Sequence, residues 1–133
     1  MLKKLRKMLK KQEGFTLVEL MIVVVILGIL AGIGVQQYVN VQERAKGAAH
    51  NANLRIISSA ANMYVMLEGK APNGINDLIN GGYLQEVPVN PFGEDGDDAW
   101  VGAYGVTVSG PNENGTYVIT VEPEPYDPQG TSD

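Results

Sequence analysis

One carboxylate, that of Glu19, lies inside the most apolar stretch of the chain. Between Phe15 and Val35 the only other polar side chain is that of Thr16, and no Lys or Arg occurs between residues 12 and 43. A charged carboxylate within a membrane-spanning helix costs about 2.5–3.5 kcal/mol on insertion scales, so such a residue is a functional candidate. Glu19 therefore needs a cationic partner that the neighbouring side chains do not supply.

Proteolysis would create such a cation. A cut after Gly14 would free the α-amino group of Phe15, whose ordinary pKa is about 8. Glu19 follows Phe15 by four residues, so the two lie on the same face of a helix. The pair forms either within one chain or between neighbouring chains. In the second case a misaligned neighbour leaves the carboxylate unpaired in an apolar core, so the pair sets the register of an assembly.

Few other residues could carry out catalytic chemistry. The chain has no Cys, which excludes disulfides, thiolate metal sites and cysteine nucleophiles. Its single histidine, His50, is predicted to be a surface residue. Ser58 and Ser59 follow it by eight and nine residues, which is too far along a helix for the imidazole to activate a hydroxyl. We therefore predict that the protein is not an enzyme.

Four carboxylates lie close together in a predicted loop, at Glu94, Asp95, Asp97 and Asp98. Calcium prefers oxygen ligands on flexible loops, so the cluster is a candidate calcium site. The spacing is not that of an EF-hand loop, because no Glu closes it. A solvated acidic turn is the favoured interpretation, and we predict no cofactor.

The segments that position Glu19 follow a targeting pattern. Residues 1–14 contain six of the ten bases and only one of the fifteen acids. The next 21 residues, 15–35, would form a helix about 31 Å long, close to the thickness of a bilayer. The basic end should stay in the cytoplasm and the acidic body should lie outside it. A secretory signal peptide cut around Gly32 and Gly34, or a plain membrane anchor, fits this pattern as well, but neither explains Glu19.

The residues from Gly14 to Leu20 (GFTLVEL), with bases before them and an apolar run after them, closely resemble the class III signal, or prepilin-type N-terminal methylation motif, of type IV pilins and pseudopilins. The resemblance implies that a prepilin peptidase cuts after Gly14 and methylates the new N-terminal Phe15. It also implies that Glu19 is required for assembly. The resemblance implies as well that an assembly ATPase and a platform protein act on the subunit in trans.

The resemblance therefore implies a structural subunit that forms a helical homopolymer through residues 15–40. The precursor would cross the inner, or cytoplasmic, membrane once, and the product would be an extracellular filament on the cell surface. We predict the major pilin of a type IV pilus, or alternatively the major pseudopilin of a type II secretion or competence (DNA-uptake) system. A monomeric membrane-anchored binding domain, neither processed nor polymerised, is a different class of explanation.

The apolar run departs from the family at one position, because pilins commonly have a Pro where this chain has Gln36. It contains Gly28, Gly32 and Gly34 instead, and each glycine costs about 1 kcal/mol relative to alanine in a helix. We predict that the helix softens around residues 32–36 in a fibre. Gly28 and Gly32 also fit a small-xxx-small face for close helix packing.

The helical pattern continues to about Leu67, where Gly69, Lys70 and Pro72 predict the end of a helix of more than 50 residues. We therefore predict an α+β pilin fold, with a cleaved leader at 1–14, a long helix at 15–67 and a small head at 68–133. One apolar stripe is predicted to support the head, at Val41, Ala45, Ala48, Ala52, Ile56, Ala60, Met63 and Leu67.

The head is predicted to contain a short helix and a β-hairpin. The helix should cover 73–80, and the strands 100–109 and 116–121. Asn114-Gly115-Thr116 fits a glycosylation sequon, but we favour a turn. The stretch from Pro88 to Gly93 resembles a turn of major pseudopilins, with Phe92 replacing the usual Trp. The Pro-rich acidic segment 122–133 should run along the surface or be disordered.

Overall fold

The computed structural model describes residues 1–9 and 14–129. Residues 10–13 of the predicted leader and the last four residues of the predicted tail lie outside the described residues. The described elements are α1 (Leu2–Leu9), α2 (Leu17–Glu68), α3 (Ile75–Asn80), β1 (Gly105–Ser109) and β2 (Val118–Glu122). A long apolar helix followed by a small antiparallel sheet confirms the predicted α+β pilin fold.

Helix α2 has 52 residues and ends where the glycine and proline signals predict. Gly69 follows it with φ of 67°, a left-handed conformation that glycine adopts without a steric penalty. The Gly69 N–H donates to the carbonyl of Val65 at 3.0 Å, so one of the last carbonyls of the helix is paired. The chain divides into two compact units, Met1–Val41 and Gln42–Asp133, which are described separately below.

The second unit has a hydrophobic core built on one face of α2. Leu54, Ile57, Ala61 and Tyr64 are buried along it at helical spacing. Leu78 of α3 packs into this cluster and is fully buried. The core also contains Ala60 of α2, Leu84 and Tyr104 from the loops, and Val106 of β1. The helix therefore supports the head, as predicted.

The predicted apolar stripe of α2 is wrong, because a neighbouring face is buried instead. Of the eight predicted residues only Ala60 is buried, whereas Val41, Ile56 and Leu67 are 63%, 52% and 72% exposed. Four members of the predicted stripe are alanines. The buried face has the larger Leu54, Ile57 and Tyr64, and apolar burial is favourable roughly in proportion to the area removed from water.

The two strands form an antiparallel hairpin in which Gly105 pairs with Glu122 and Ser109 with Val118. Both predicted strands form, but each begins later than predicted, at Gly105 and at Val118. In the connecting loop the side-chain carbonyl of Asn112 accepts the N–H groups of Asn114 and Thr116 at 3.0 and 2.9 Å. Gly115 has φ of 76°. The turn interpretation of Asn114-Gly115-Thr116 is confirmed.

The described part of the tail, residues 123–129, contacts α2. This agrees with the predicted alternative in which the tail runs along the surface. The Tyr126 N–H donates to the Asn51 side-chain oxygen at 2.8 Å. The Tyr126 ring lies so close to Gly47 that a Cβ atom at that position would overlap it. Glycine at position 47 therefore allows the tail to pack directly on the helix.

Candidate functional site

The first turn of α2 is closed by two reciprocal hydrogen bonds. The Glu19 N–H donates to the Thr16 hydroxyl at 3.2 Å, and the Thr16 N–H donates to a Glu19 carboxylate oxygen at 3.2 Å. This is a capping box, in which Thr16 is the N-cap and Glu19 the third helical residue. The carboxylate also lies near the positive end of the helix dipole, where a negative charge is favourable.

The capping box directs the Glu19 carboxylate back toward the residues that precede the helix. Gly14, Phe15 and Thr16 are not helical, and Phe15 is 86% exposed. The α-amino group that a cut after Gly14 would create belongs to the residue immediately before Thr16. The capping box was not predicted, although its sequence signature, Thr followed three residues later by Glu, is present.

The rest of the apolar segment is exposed along its whole length. Among the described residues, α2 is the one helix long and apolar enough to cross a membrane, and none of its most apolar window is buried. Gly28, Gly32 and Gly34 lie within this helix, and a Cβ atom built on any of them meets nothing within 4 Å beyond the helix's own backbone. In the single chain the helix is continuous through residues 32–36, so softening in a fibre stays a prediction.

His50 is not a surface residue, so that prediction was wrong. Its side chain is fully buried. The Nδ1 atom lies 2.9 Å from the Tyr104 hydroxyl and the Nε2 atom 2.8 Å from the Glu124 carbonyl. A carbonyl only accepts, so Nε2 carries the proton and Nδ1 of a neutral ring accepts from Tyr104. These partners follow His50 by 54 and 74 residues, which is why helical spacing alone did not predict them.

The bonds of His50 belong to a larger network that joins α2 to three other segments. The Asn53 amide donates to the Tyr104 hydroxyl and to the Val89 carbonyl, both at 3.2 Å. We call His50, Asn53, Tyr104 and the Glu124 carbonyl the His50 network. Burial raises the pKa of the Tyr104 hydroxyl, and the bond from Asn53 lowers it by less.

An aromatic cluster lies beside the His50 network. The Phe92 ring stacks on Tyr126 at 5.1 Å, and Trp100 meets Tyr126 edge-on at 5.2 Å. The turn that contains Phe92 is fixed by Asn90, a buried residue whose amide donates to the carbonyls of Trp100 and Gly102. Phe92 therefore has an aromatic packing role at the position where the resembling turn has Trp.

The predicted loop carboxylates Glu94, Asp95, Asp97 and Asp98 are all exposed. Within residues 1–9 and 14–129, no three His, Asp or Glu side chains are grouped so that they could hold a metal ion. These side chains as placed do not fit a calcium site. The prediction of a solvated acidic turn without a cofactor stays untested, and calcium remains the weaker candidate there.

Comparisons with known proteins agree with the site at the start of α2. The model of the prokaryotic N-terminal methylation motif matches residues 9–35. Type II secretion system core protein G of Pseudomonas aeruginosa is 34% identical over 100 residues, covering 63% of this chain and 70% of that protein. The Vibrio cholerae protein of the same name is 33% identical over 104 residues, covering 67% and 71%.

A pilin is also similar to this chain. The type IV major pilin protein PilA of Myxococcus xanthus is 34% identical over 68 residues, covering 51% of this chain and 31% of that protein. No solved structure matches the chain significantly. The matches to core protein G cover a larger share of both chains than the match to PilA does.

Proposed function

The chain belongs to the family of type IV pilins and pseudopilins, and we propose that it is the major pseudopilin of a type II secretion or competence system. The observation that carries this proposal is the similarity to core protein G. It covers 63% of this chain, more than the 52 residues of α2, so it includes residues outside the long helix. A shared start of the helix alone would not distinguish a pseudopilin from a pilin.

The major pilin of a type IV pilus is the second candidate. It is the function first predicted from the sequence, and the similarity to PilA supports it. Both candidates use the same assembly mechanism and differ in the length and purpose of the fibre. Deleting the gene in its native host separates them. Loss of protein secretion or DNA uptake without loss of long surface fibres supports the pseudopilin, and loss of long fibres supports the pilin.

In the mechanism that we propose, the precursor crosses the inner membrane once through residues 15–35. A prepilin peptidase cuts after Gly14 and methylates Phe15. An assembly ATPase and a platform protein then move processed subunits from the membrane into a homopolymeric fibre outside the cytoplasm. The protein itself is not an enzyme, and the family's role is that of a building block.

Glu19 recognises the new terminus in this mechanism. Its carboxylate already binds the N–H of Thr16 at 3.2 Å, one residue away from the amine that cleavage would create. An ion pair with that amine would offset the cost of placing a carboxylate among apolar helices. The partner amine belongs to the same chain or to a neighbour in the fibre.

The processing step is tested on the native fibre and on one variant. Mass spectrometry of fibre subunits should find an N-terminal methylated Phe15. Gly14→Leu should leave an uncut precursor in the membrane fraction. Normal fibres from that variant would contradict the cleavage site, and an intact Met1 in native fibres would contradict processing altogether.

A further inference from the structure

Helix α1 has two faces of opposite chemistry. Its eight residues are LKKLRKML. At about 100° per residue, positions 2, 5, 8 and 9 fall within one arc of about 120°, and all four are Leu or Met. Positions 3, 4, 6 and 7 fall on the opposite side, and all four are Lys or Arg. The helix is therefore amphipathic and strongly basic.

This helix needs a surface to pack against. Leu2 on its apolar face is 83% exposed, and the bases at 3, 4, 6 and 7 are exposed as well. Isolated helices shorter than about 12–15 residues are marginal in water. An eight-residue helix with no partner would not persist there, because propensity alone does not stabilise it.

We infer that α1 lies in the plane of the cytoplasmic membrane surface, with its apolar face in the acyl boundary and its bases on anionic phospholipid headgroups. The inference rests on the proposed function, because the anchored precursor is what brings α1 to that surface. The complementary charge supports it, since Lys and Arg side chains next to a membrane are attracted to anionic headgroups. A basic helix with leucines on its other face is the type that binds at this interface.

The position of α1 in the chain also supports a membrane partner. The apolar segment begins at Phe15, six residues after α1 ends at Leu9. A chain that crosses the bilayer from residue 15 therefore keeps α1 close to the headgroups of the same leaflet. The surface position of α1 also determines where the scissile bond lies. With α1 on the surface and α2 in the bilayer, the non-helical Gly14–Phe15 bond is held at headgroup depth, where a membrane peptidase can reach it.

A simpler role for the leader is a topology signal, in which only its net charge matters. The two roles differ in their dependence on residue order. The double exchange Lys4→Leu with Leu5→Lys preserves composition and net charge but places a base in the apolar arc. We expect the full-length precursor with this exchange to insert in the same orientation and to be processed several-fold more slowly in a pulse-chase experiment. Processing at the wild-type rate would overturn the inference.

A second measurement locates α1 directly. The chain has no Cys, so single cysteines at positions 2, 3, 5 and 7 can each be labelled with an environment-sensitive fluorophore. The precursor is reconstituted in vesicles of phosphatidylcholine with or without phosphatidylglycerol. Labels at 2 and 5 should shift to the blue when phosphatidylglycerol is present, and labels at 3 and 7 should not. High salt should reduce the shift, because it screens the headgroup charge.

A label at Val25 distinguishes the inference from the proposed function. It should report an apolar environment in every vesicle, because it lies in the spanning segment. If position 25 is apolar but positions 2, 3, 5 and 7 behave alike, the surface position of α1 is wrong and the anchored precursor stands. If position 25 is in water, the anchored precursor is wrong and the inference is overturned with it.

Discussion

The Glu19 carboxylate has a partner within its own chain before any assembly takes place. Its bond to the Thr16 N–H closes the first turn of α2, so one polar group of each residue is satisfied at the edge of the apolar segment. This reduces the cost of carrying a carboxylate there. The same geometry keeps the charge beside the terminus that proteolysis would create.

Two substitutions at Glu19 separate capping from charge. Gln at this position still completes a capping box, whereas Ala removes the half of it in which the Thr16 N–H donates to the side chain at position 19. We expect both Glu19→Ala and Glu19→Gln to be cut but to yield few fibres, because neither can pair with a cationic terminus. Amide exchange at Thr16 should increase in the Ala variant alone. Wild-type fibre yield from Glu19→Gln would show that the charge is not needed.

His50 is buried with both of its ring nitrogens hydrogen-bonded. Replacing it with Phe keeps an aromatic ring but removes the acceptor of the Tyr104 O–H and the donor to the Glu124 carbonyl, so Tyr104 keeps only its bond from Asn53. Each buried polar group left unpaired costs about 1–3 kcal/mol. We expect His50→Phe to lower the free energy of unfolding by a few kcal/mol in urea titrations. Asn62→Ala, which removes an exposed bond within the helix, should cost less than 1 kcal/mol as the matched control; equal effects would contradict the network.

Sequence spacing predicts a cationic partner for Glu19, which stays a prediction, and it missed the partners of His50 for a physical reason. The Glu19 site is local, since its cap and its proposed cation lie within four residues, and apolar context makes the carboxylate conspicuous. The His50 site is made by three segments far apart in the chain. A lone histidine on a helix shows no periodic signal, so only the packed head reveals that both ring nitrogens are paired.

At the scale of elements, the apolar pattern of α2 predicts some features of the helix but not which of its faces is buried. Its length and end were predictable because the apolar run, Gly69 and Pro72 act locally. Its buried face was not, because two overlapping faces both show apolar spacing. The face with Leu54, Ile57 and Tyr64 is buried, and the alanine-rich face remains exposed. Which face is buried depends on the apolar area of its side chains and on the residues of the head that pack against them.

The contact between the tail and α2 depends on a single small residue. A Cβ at position 47 would overlap the Tyr126 ring, so Gly47→Ala should displace the tail from the helix. Amide exchange at Tyr126 should then increase, because its bond to Asn51 is lost. Gly105→Ala is the control, since no atom lies within 4 Å of a Cβ built there. Unchanged exchange at Tyr126 in Gly47→Ala would mean that the ring moves aside without releasing the tail.

At the scale of the whole molecule, the stability of the head should depend on alkaline pH. Burial raises the pKa of Tyr104, so the folded protein keeps this proton after the unfolded chain has lost it at about pH 10. The contribution of the protonated Tyr104 hydroxyl to the stability of the folded head is fully present below that pH. It is lost as the pH rises toward the folded pKa, because the unfolded state then binds fewer protons than the folded state.

A second tyrosine contributes with the same sign. The Tyr83 hydroxyl donates to the Glu68 carboxylate at 2.9 Å, and this bond raises the pKa of Tyr83. The Tyr83 ring is half-buried, but its bond to Glu68 is exposed, and solvent screening weakens such interactions. Most of the alkaline loss of stability should therefore come from Tyr104, which lies in the core beside His50.

Urea titrations of the full chain in detergent, at about pH 8 and again above about pH 10, measure this dependence. We expect the wild type to lose stability between the two conditions. Tyr104→Phe should be less stable than the wild type near neutral pH, because it loses the bond to His50, but it should show a flatter alkaline decline. Tyr83→Phe should remain close to the wild type in both respects. If Tyr104→Phe declines as steeply as the wild type, the buried hydroxyl does not link the folding of the head to alkaline pH.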